Sequence, residues 1–221
     1  MRTAIAGPEL RKKACYGGLD LSSRVDLTAL SLVWPVDDQF YCAEWYWMPA
    51  DQVRERTRKD GRPYDVWVRE GWIESIPGPV VDERIVRDRV LELANLFDVR
   101  EVAYDKWRAA VVAMDLGEAG LKMFEFGQTM GWYHDPTTQL LHLILQRRIV
   151  NEPNPVTRFC ADCLSVRRDD EERIKPVKPD RNKSGKRIDG MVTRIMALDR
   201  ALRNAGARGT SVYERRGLVI L

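Results

Sequence analysis

Three aspartates stand where ordered segments of this chain begin or end: Asp20, Asp105 and Asp189. Asp20 follows an apolar run from Cys15 to Leu19, Asp105 follows a strand-like stretch from Glu101 to Tyr104, and Asp189 opens a helical stretch. Carboxylates in such places are well sited to converge, because ligand and active sites of α/β sheets gather at strand ends. If the strands ending at Asp20 and Asp105 are neighbours, their backbones run about 4.7–4.9 Å apart. Two carboxylates about 6 Å apart repel by roughly 3 kcal/mol at an effective dielectric of about 20. Three mutual pairs cost on the order of 8 kcal/mol, comparable with the whole stability of a domain. A convergent triad therefore protonates or holds a cation. Oxygen-only ligands with room for water favour Mg²⁺ or Mn²⁺ over Zn²⁺, and ion pairs about 3.5–4 Å apart serve phosphodiester cleavage. The competing reading makes each acid a helix cap or turn former, with Asp189 favoured by the helix dipole. Only convergence of all three separates these readings.

The elements that must position these acids follow from pattern and punctuation. Cys15–Leu19, Leu27–Trp34 (closed by Pro35) and Phe40–Trp47 (closed by Pro49) read as three strands joined by short spacers, a β-meander. Asp51–Asp60 reads as a surface helix and Tyr64–Glu70 as a short helix ending at Gly71. Asp82 caps a helix whose apolar positions Val86, Val90, Leu93 and Phe97 fall at helical spacing. Glu101–Tyr104 is a strand, Arg108–Glu118 a helix stopped by Gly120, and Lys122–Phe126 a strand stopped by Gly127. Asp135-Pro136 opens a helix through Leu140, Leu141, Ile144 and Leu145, with Pro at the first helical position. Val156–Val166 reads as a further helix, and 167–185, without periodicity, as a long loop or irregular hairpin. Ile188–Arg203 is a strong last helix with Ile188, Val192, Ile195, Met196 and Leu202 to one side. A meander followed by α/β crossovers gives a mixed α/β sheet with helices on both faces. The expected organisation is a linker-like edge at 1–14, one domain at 15–205 and a loosely attached tail at 206–221.

Composition bounds what this fold does. At 221 residues, 44% hydrophobic and 31% charged, the chain is neither disordered nor too small for an apolar core. It has no apolar run of membrane-spanning length and no signal-peptide core. The four cysteines are then expected as reduced thiols of a cytosolic protein. Net charge is only +3, but twelve Lys and Arg stand against seven acids between Gln146 and Arg187. That local excess suits a phosphate-binding surface, and equally a solvated mixed-charge loop. Cys160-x-x-Cys163 lacks a matching second pair for zinc and reads as partly buried thiols on a helix. His134 reads as a loop residue before a helix and His142 as lying on that helix's wetter side. Trp45 and Trp47 suit sheet packing better than base stacking. No nucleophile elbow or Ser-His-Asp arrangement is present.

Several stretches occur in a telling order: Gly17-Gly18-Leu19-Asp20-Leu21-Ser22-Ser23 with Asp26-Leu27-Thr28-Ala29, then Ala103-Tyr104-Asp105-Lys106-Trp107, Glu125-Phe126-Gly127-Gln128, and Lys183-Ser184-Gly185-Lys186-Arg187-Ile188-Asp189-Gly190. Together, over about residues 15–202, they resemble the C-terminal nuclease domain of the large terminase subunit of tailed bacteriophages. The resemblance implies a ribonuclease H-like fold and a two-metal endonuclease (Mg²⁺ or Mn²⁺) that cuts concatemeric double-stranded viral DNA. It carries the catalytic metal-binding role to Asp20, Asp105 and Asp189, with Asp26 as an auxiliary. Asp20 would bridge the two ions, with Asp105 and Asp189 completing one side each. Lys106, Arg108, Lys183, Lys186 and Arg187 are the expected DNA-binding residues.

The implied partners are DNA, the ATPase motor domain of the same subunit, the portal and the small terminase subunit, in the host-cell cytoplasm and without a membrane. No phosphate loop of the G-x-x-x-x-G-K-[ST] type occurs, so the motor domain is expected to lie outside this chain. An excised nuclease domain or a prophage remnant fits, and the linker-like first 14 residues favour excision. Two alternatives stay open: a non-catalytic DNA-binding or docking module of the packaging motor, and a Holliday-junction-resolvase-like nuclease.

Overall fold

A computed structural model describes residues 8–22, 26–179 and 185–205. The meander forms as expected: β1 (Ala14–Asp20), β2 (Thr28–Val36) and β3 (Gln39–Pro49) pair antiparallel. Pro35 does not close β2, because it lies within the strand, opposite Phe40 near the turn. A 3₁₀ turn at Ala50–Gln52 leads into α1 (Val53–Asp60) and α2 (Tyr64–Arg69). After β4 (Glu74–Ile76), α3 (Glu83–Leu96) is capped by Asp82, whose side chain accepts from Arg84 N–H at 3.0 Å. Then come β5 (Asp98–Tyr104), α4 (Lys106–Glu118), β6 (Met123–Glu125) and α5 (Met130–Leu145). The chain continues through β7 (Ile149–Asn151), α6 (Pro155–Asp162), the hairpin strands β8 (Ser165–Arg168) and β9 (Ile174–Val177), and α7 (Asp189–Ala205).

The main sheet runs β4-β3-β2-β1-β5-β6, with β7 also on β3. β1–β5 and β5–β6 are parallel, so the sheet is mixed. Its central strands are buried on both faces. Tyr16, Ala29, Val33 and Tyr46 face α5, α6 and α7, where Tyr133, Phe159 and Ile195 pack. Cys15, Leu19, Leu30, Leu32 and Trp34 face α3 and α4, where Val90, Leu93, Val112 and Leu116 pack. Fully burying one such side chain stabilises by about 1.5–3 kcal/mol. Leu10, within the stretch expected as a linker, is buried in this second core.

The long helix α7 lies tightly across the sheet, and two glycines explain how. A Cβ on Gly18 would fall 2.1 Å from the Thr193 carbonyl oxygen, and one on Gly190 would fall 1.9 Å from Tyr46 Oη. Buried ion pairs fix the helix along its length: Arg194 Nε donates to Glu44 Oε1 on β3 at 2.8 Å, and Arg200 Nη1 to Glu101 Oε1 on β5 at 3.1 Å. The Ser31 and Thr193 hydroxyls bond at 2.8 Å between them.

Four expectations are corrected. α5 starts at Met130, not at Asp135-Pro136, and Pro136 sits inside it. Tyr133 is buried against Phe126 at 5.1 Å and donates to Gln128 Oε1 at 2.9 Å, securing a helical turn ahead of the proline. His134 therefore lies on the helix, where its Nδ1 accepts from Ile174 N–H at 3.1 Å. α6 stops at Asp162, because Val166 belongs to β8 and pairs with Pro176 of β9. Residues 165–177 thus form a regular hairpin. β4 and β7, three residues each, add to β3 without any sequence periodicity to announce them. Cys160 and Cys163 are free buried thiols, His142 is exposed, and Trp47 is fully buried in the core.

Candidate active site

Pairing sets two of the acids side by side. In the parallel β1–β5 register Leu19 is opposite Tyr104, so Asp20 and Asp105 are the next residues on adjacent strands. Asp105 also caps α4, its Oδ1 accepting from Trp107 N–H at 3.0 Å. The cap reading and the site reading are therefore compatible, since a carboxylate has a second oxygen. The third acid comes from across the sheet. Asp189 is the first residue of α7, brought down by the glycine contacts, and it is 4% exposed.

The electrostatics place the four aspartates in one neighbourhood. Burial, then the Asp189 charge, push the Asp20 carboxyl up to about 8; Asp105 and Asp26 add to this and Arg108 opposes it. Asp189 is likewise raised, by burial first, with Lys178 opposing and Asp26 adding. Such mutual destabilisation of charge is what a divalent ion relieves. Asp189 Oδ2 is buried with no hydrogen-bond partner, and a buried carboxylate oxygen without a partner is costly unless a cation meets it. Among the described residues, no three His, Cys, Asp or Glu side chains stand close enough, as placed, to enclose a metal ion. The acids are neighbours rather than a closed ligand shell.

A basic side chain holds part of this cluster. Lys178, just beyond β9, reaches Asp26 Oδ1 in an ion pair, and its Nζ lies 3.9 Å from Asp189 Oδ1. Arg187 is 4% exposed, with Nη2 2.8 Å from Asp60 Oδ2 and Nε 3.7 Å from Asp26 Oδ1. Arg187 is thus a fixed internal counter-charge. Asp26 faces these two cations and keeps about a quarter of its side chain exposed (26%). The other expected basic residues differ in setting: Arg108 is exposed, Lys106 is exposed and pairs with Glu125 at 3.1 Å, and Lys186 is half-buried. Lys183 lies outside the described residues. Residues that sequence reasoning missed are Lys178, Asp60 and Tyr133, whose ring carries Lys175 Nζ at 5.2 Å. Lys178 follows an alternating stretch like any surface strand, so no pattern singles it out.

The register of β1 against β5 and the start of α7 thus bring acids from three parts of the chain toward one end of the sheet. A family model described as terminase large subunit, endonuclease domain, matches residues 3–205. The large terminase subunit of Enterobacteria phage HK97 is 36% identical over 189 residues, 84% of this chain and 37% of that protein. Its crystal structure superposes with a TM-score of 0.76, covering 84% of this chain and 39% of that one. The large terminase nuclease of thermophilic phage G20c with bound magnesium gives 0.55 at 10% identity, covering 85% of this chain and 81% of that one. The g2p large terminase nuclease domain of bacteriophage SPP1 with bound Mn gives 0.53 at 14% identity, covering 91% and 94%. This chain therefore spans well under half the length of its curated HK97 relative. Its mixed sheet with helices on both faces is ribonuclease H-like.

Proposed function

The chain belongs to the terminase large subunit endonuclease domain family, and from that premise we propose that it cuts double-stranded DNA during viral genome packaging by two-metal phosphodiester hydrolysis. The observation that supports this reading is the register of β1 against β5, which ends in Asp20 on one strand and Asp105 just after the other, together with Asp189, whose buried Oδ2 has no partner. Asp20, Asp105 and Asp189 would be the residues that hold the ions, with Asp20, whose carboxyl is raised by burial and then by the neighbouring acids, as the shared ligand. Mg²⁺ or Mn²⁺ held there would supply an activated water and stabilise the leaving 3′ oxygen. The ions bound in the G20c and SPP1 nucleases support this choice of metal.

The chain's own residues do the rest. The register of β1 against β5 fixes the spacing of Asp20 and Asp105, and the tight seat of α7 fixes Asp189. Arg108, Lys106 and Lys186 offer positive charge to the DNA backbone. Contacts of this kind orient the duplex without reading its sequence. The motor domain, portal and small subunit are the proposed partners, in the host cytoplasm. Among the described residues no helix is long and apolar enough to cross a membrane.

Supercoiled plasmid with Mn²⁺ tests the function. Nicking and linearisation, stopped by EDTA and abolished by Asp20→Asn, Asp105→Asn or Asp189→Asn in folded protein, are the expected result. Inertness of the wild type favours the docking-module reading, and faster cutting of branched than linear DNA favours the resolvase-like one.

A further inference from the structure

Trp107 is 87% exposed, more than any other large hydrophobic residue described. Folding gains nothing from an indole held in water, so its placement asks for a partner. It is no stray surface residue. It lies in the first turn of α4, two positions after Asp105, and its own N–H is bound by the Asp105 carboxylate. Behind it, Ala109 is fully buried and leaves helical geometry at φ −114°, ψ 15°, so a short turn carrying residues 106–108 is pinned at the site's edge. Lys106 and Arg108 flank it, both exposed. Val111 and Met114, 63% and 61% exposed, continue the apolar stripe along α4.

We propose that Trp107 is a DNA-contact residue whose indole stacks on an unpaired base next to the phosphate being cut. This rests on the reading of Asp105 as part of the cleavage site. An exposed indole next in sequence to two exposed basic residues, of which Lys106 is paired with Glu125, suits a polyanion that carries flat apolar rings. The cations take the phosphates and the indole takes a base face, a contact every base offers. An intact duplex hides those faces, and opening costs least where the base is already mismatched or unpaired. The preferred substrate is therefore duplex DNA with a locally opened step at the cut. Val111 and Met114 lie beyond the break at Ala109 and are likewise exposed.

The test compares a fully paired duplex with one carrying a central unpaired bubble. Affinities are measured by fluorescence anisotropy with Ca²⁺ in place of Mn²⁺, so that strands stay intact. Wild-type protein should bind the bubble more tightly. Trp107→Ala should lose that preference and bind the bubble about 5- to 150-fold more weakly, the worth of one base stack. Trp107→Phe should keep most of it, and Mn²⁺ affinity by calorimetry should be unchanged in both variants. If Trp107→Ala discriminates as the wild type does while wild-type protein still cuts plasmid with Mn²⁺, the proposal is overturned and the stripe belongs to a protein partner. If wild-type protein does not cut, the nuclease reading fails instead, and the role of Trp107 at the cut fails with it.

Discussion

Lys178 and Asp189 face each other at the acid cluster, Nζ 3.9 Å from Oδ1, while the other oxygen of Asp189 is buried and unpartnered. An ammonium carried on the β8–β9 hairpin thus stands beside an acid proposed to hold a divalent ion. Two cations near one carboxylate repel, so ion binding works against Lys178. Bare Coulomb energy between two unit charges at about 4 Å and an effective dielectric of about 20 is roughly 4 kcal/mol, and a divalent ion doubles it. Retreat of the ammonium toward Asp26 relieves part of it. Lys178→Met should therefore bind Mn²⁺ roughly tenfold more tightly by isothermal calorimetry. Unchanged or weaker binding would show that Lys178 does not oppose the ion.

Gly18 carries a second expectation. Its missing Cβ leaves room for the Thr193 carbonyl, 2.1 Å from where that atom would stand. Neither backbone has a flexible end to give way, so Gly18→Ala must push α7 off β1. Overpacking of this kind costs about 3 kcal/mol. Urea unfolding should show that loss. Because α7 also carries Asp189, Mn²⁺ affinity should fall with it. A variant as stable as the wild type would mean that α7 does not need this close approach.

The pH response follows from Asp20. Its ordinary value of 3.8 rises to about 8 in the folded, metal-free protein. Between those values the folded state holds a proton that the unfolded chain has released. Metal-free stability from this group is therefore complete below about pH 4 and declines as pH rises toward 8, by at most about 1.4 kcal/mol per pH unit. Asp189 acts in the same direction. Mn²⁺ should accordingly raise the melting temperature more at pH 8 than at pH 5, in differential scanning fluorimetry. An equal rise at both values would mean that these carboxylates are not charged against each other.

Much of this fold is legible in the sequence, for physical reasons that differ by element. Asp82 with Val86, Val90 and Leu93 reads as a capped helix because the apolar period and the cap agree. The acids at the ends of β1 and β5 are recognisable as strand-end residues, but whether their strands adjoin is open from pattern alone and is settled by the crossover that returns β5 beside β1. Where local signals conflict with tertiary packing, the reading fails. Pro136 looks like a helix start, yet burial of Tyr133 extends α5 before it. Val166 looks like the end of a helix, yet it pairs across a hairpin. Lys178 and Asp60 are invisible for another reason: their partners are 152 and 127 residues away in sequence. Arg187 looks like an open phosphate contact because of its basic neighbours, and only the fold turns it inward onto Asp60.

A crystal of this chain soaked in Mn²⁺, with the ions located by anomalous scattering, decides whether the three aspartates form a metal centre. Two peaks are predicted between Asp20, Asp105 and Asp189, with Asp20 touching both and ligand oxygens about 2.0–2.2 Å from each ion, as for small hard cations. Peaks elsewhere, or none, with the Asp20 and Asp189 carboxylates more than about 10 Å apart, well beyond the reach of ions about 3.5–4 Å from each other, would contradict it.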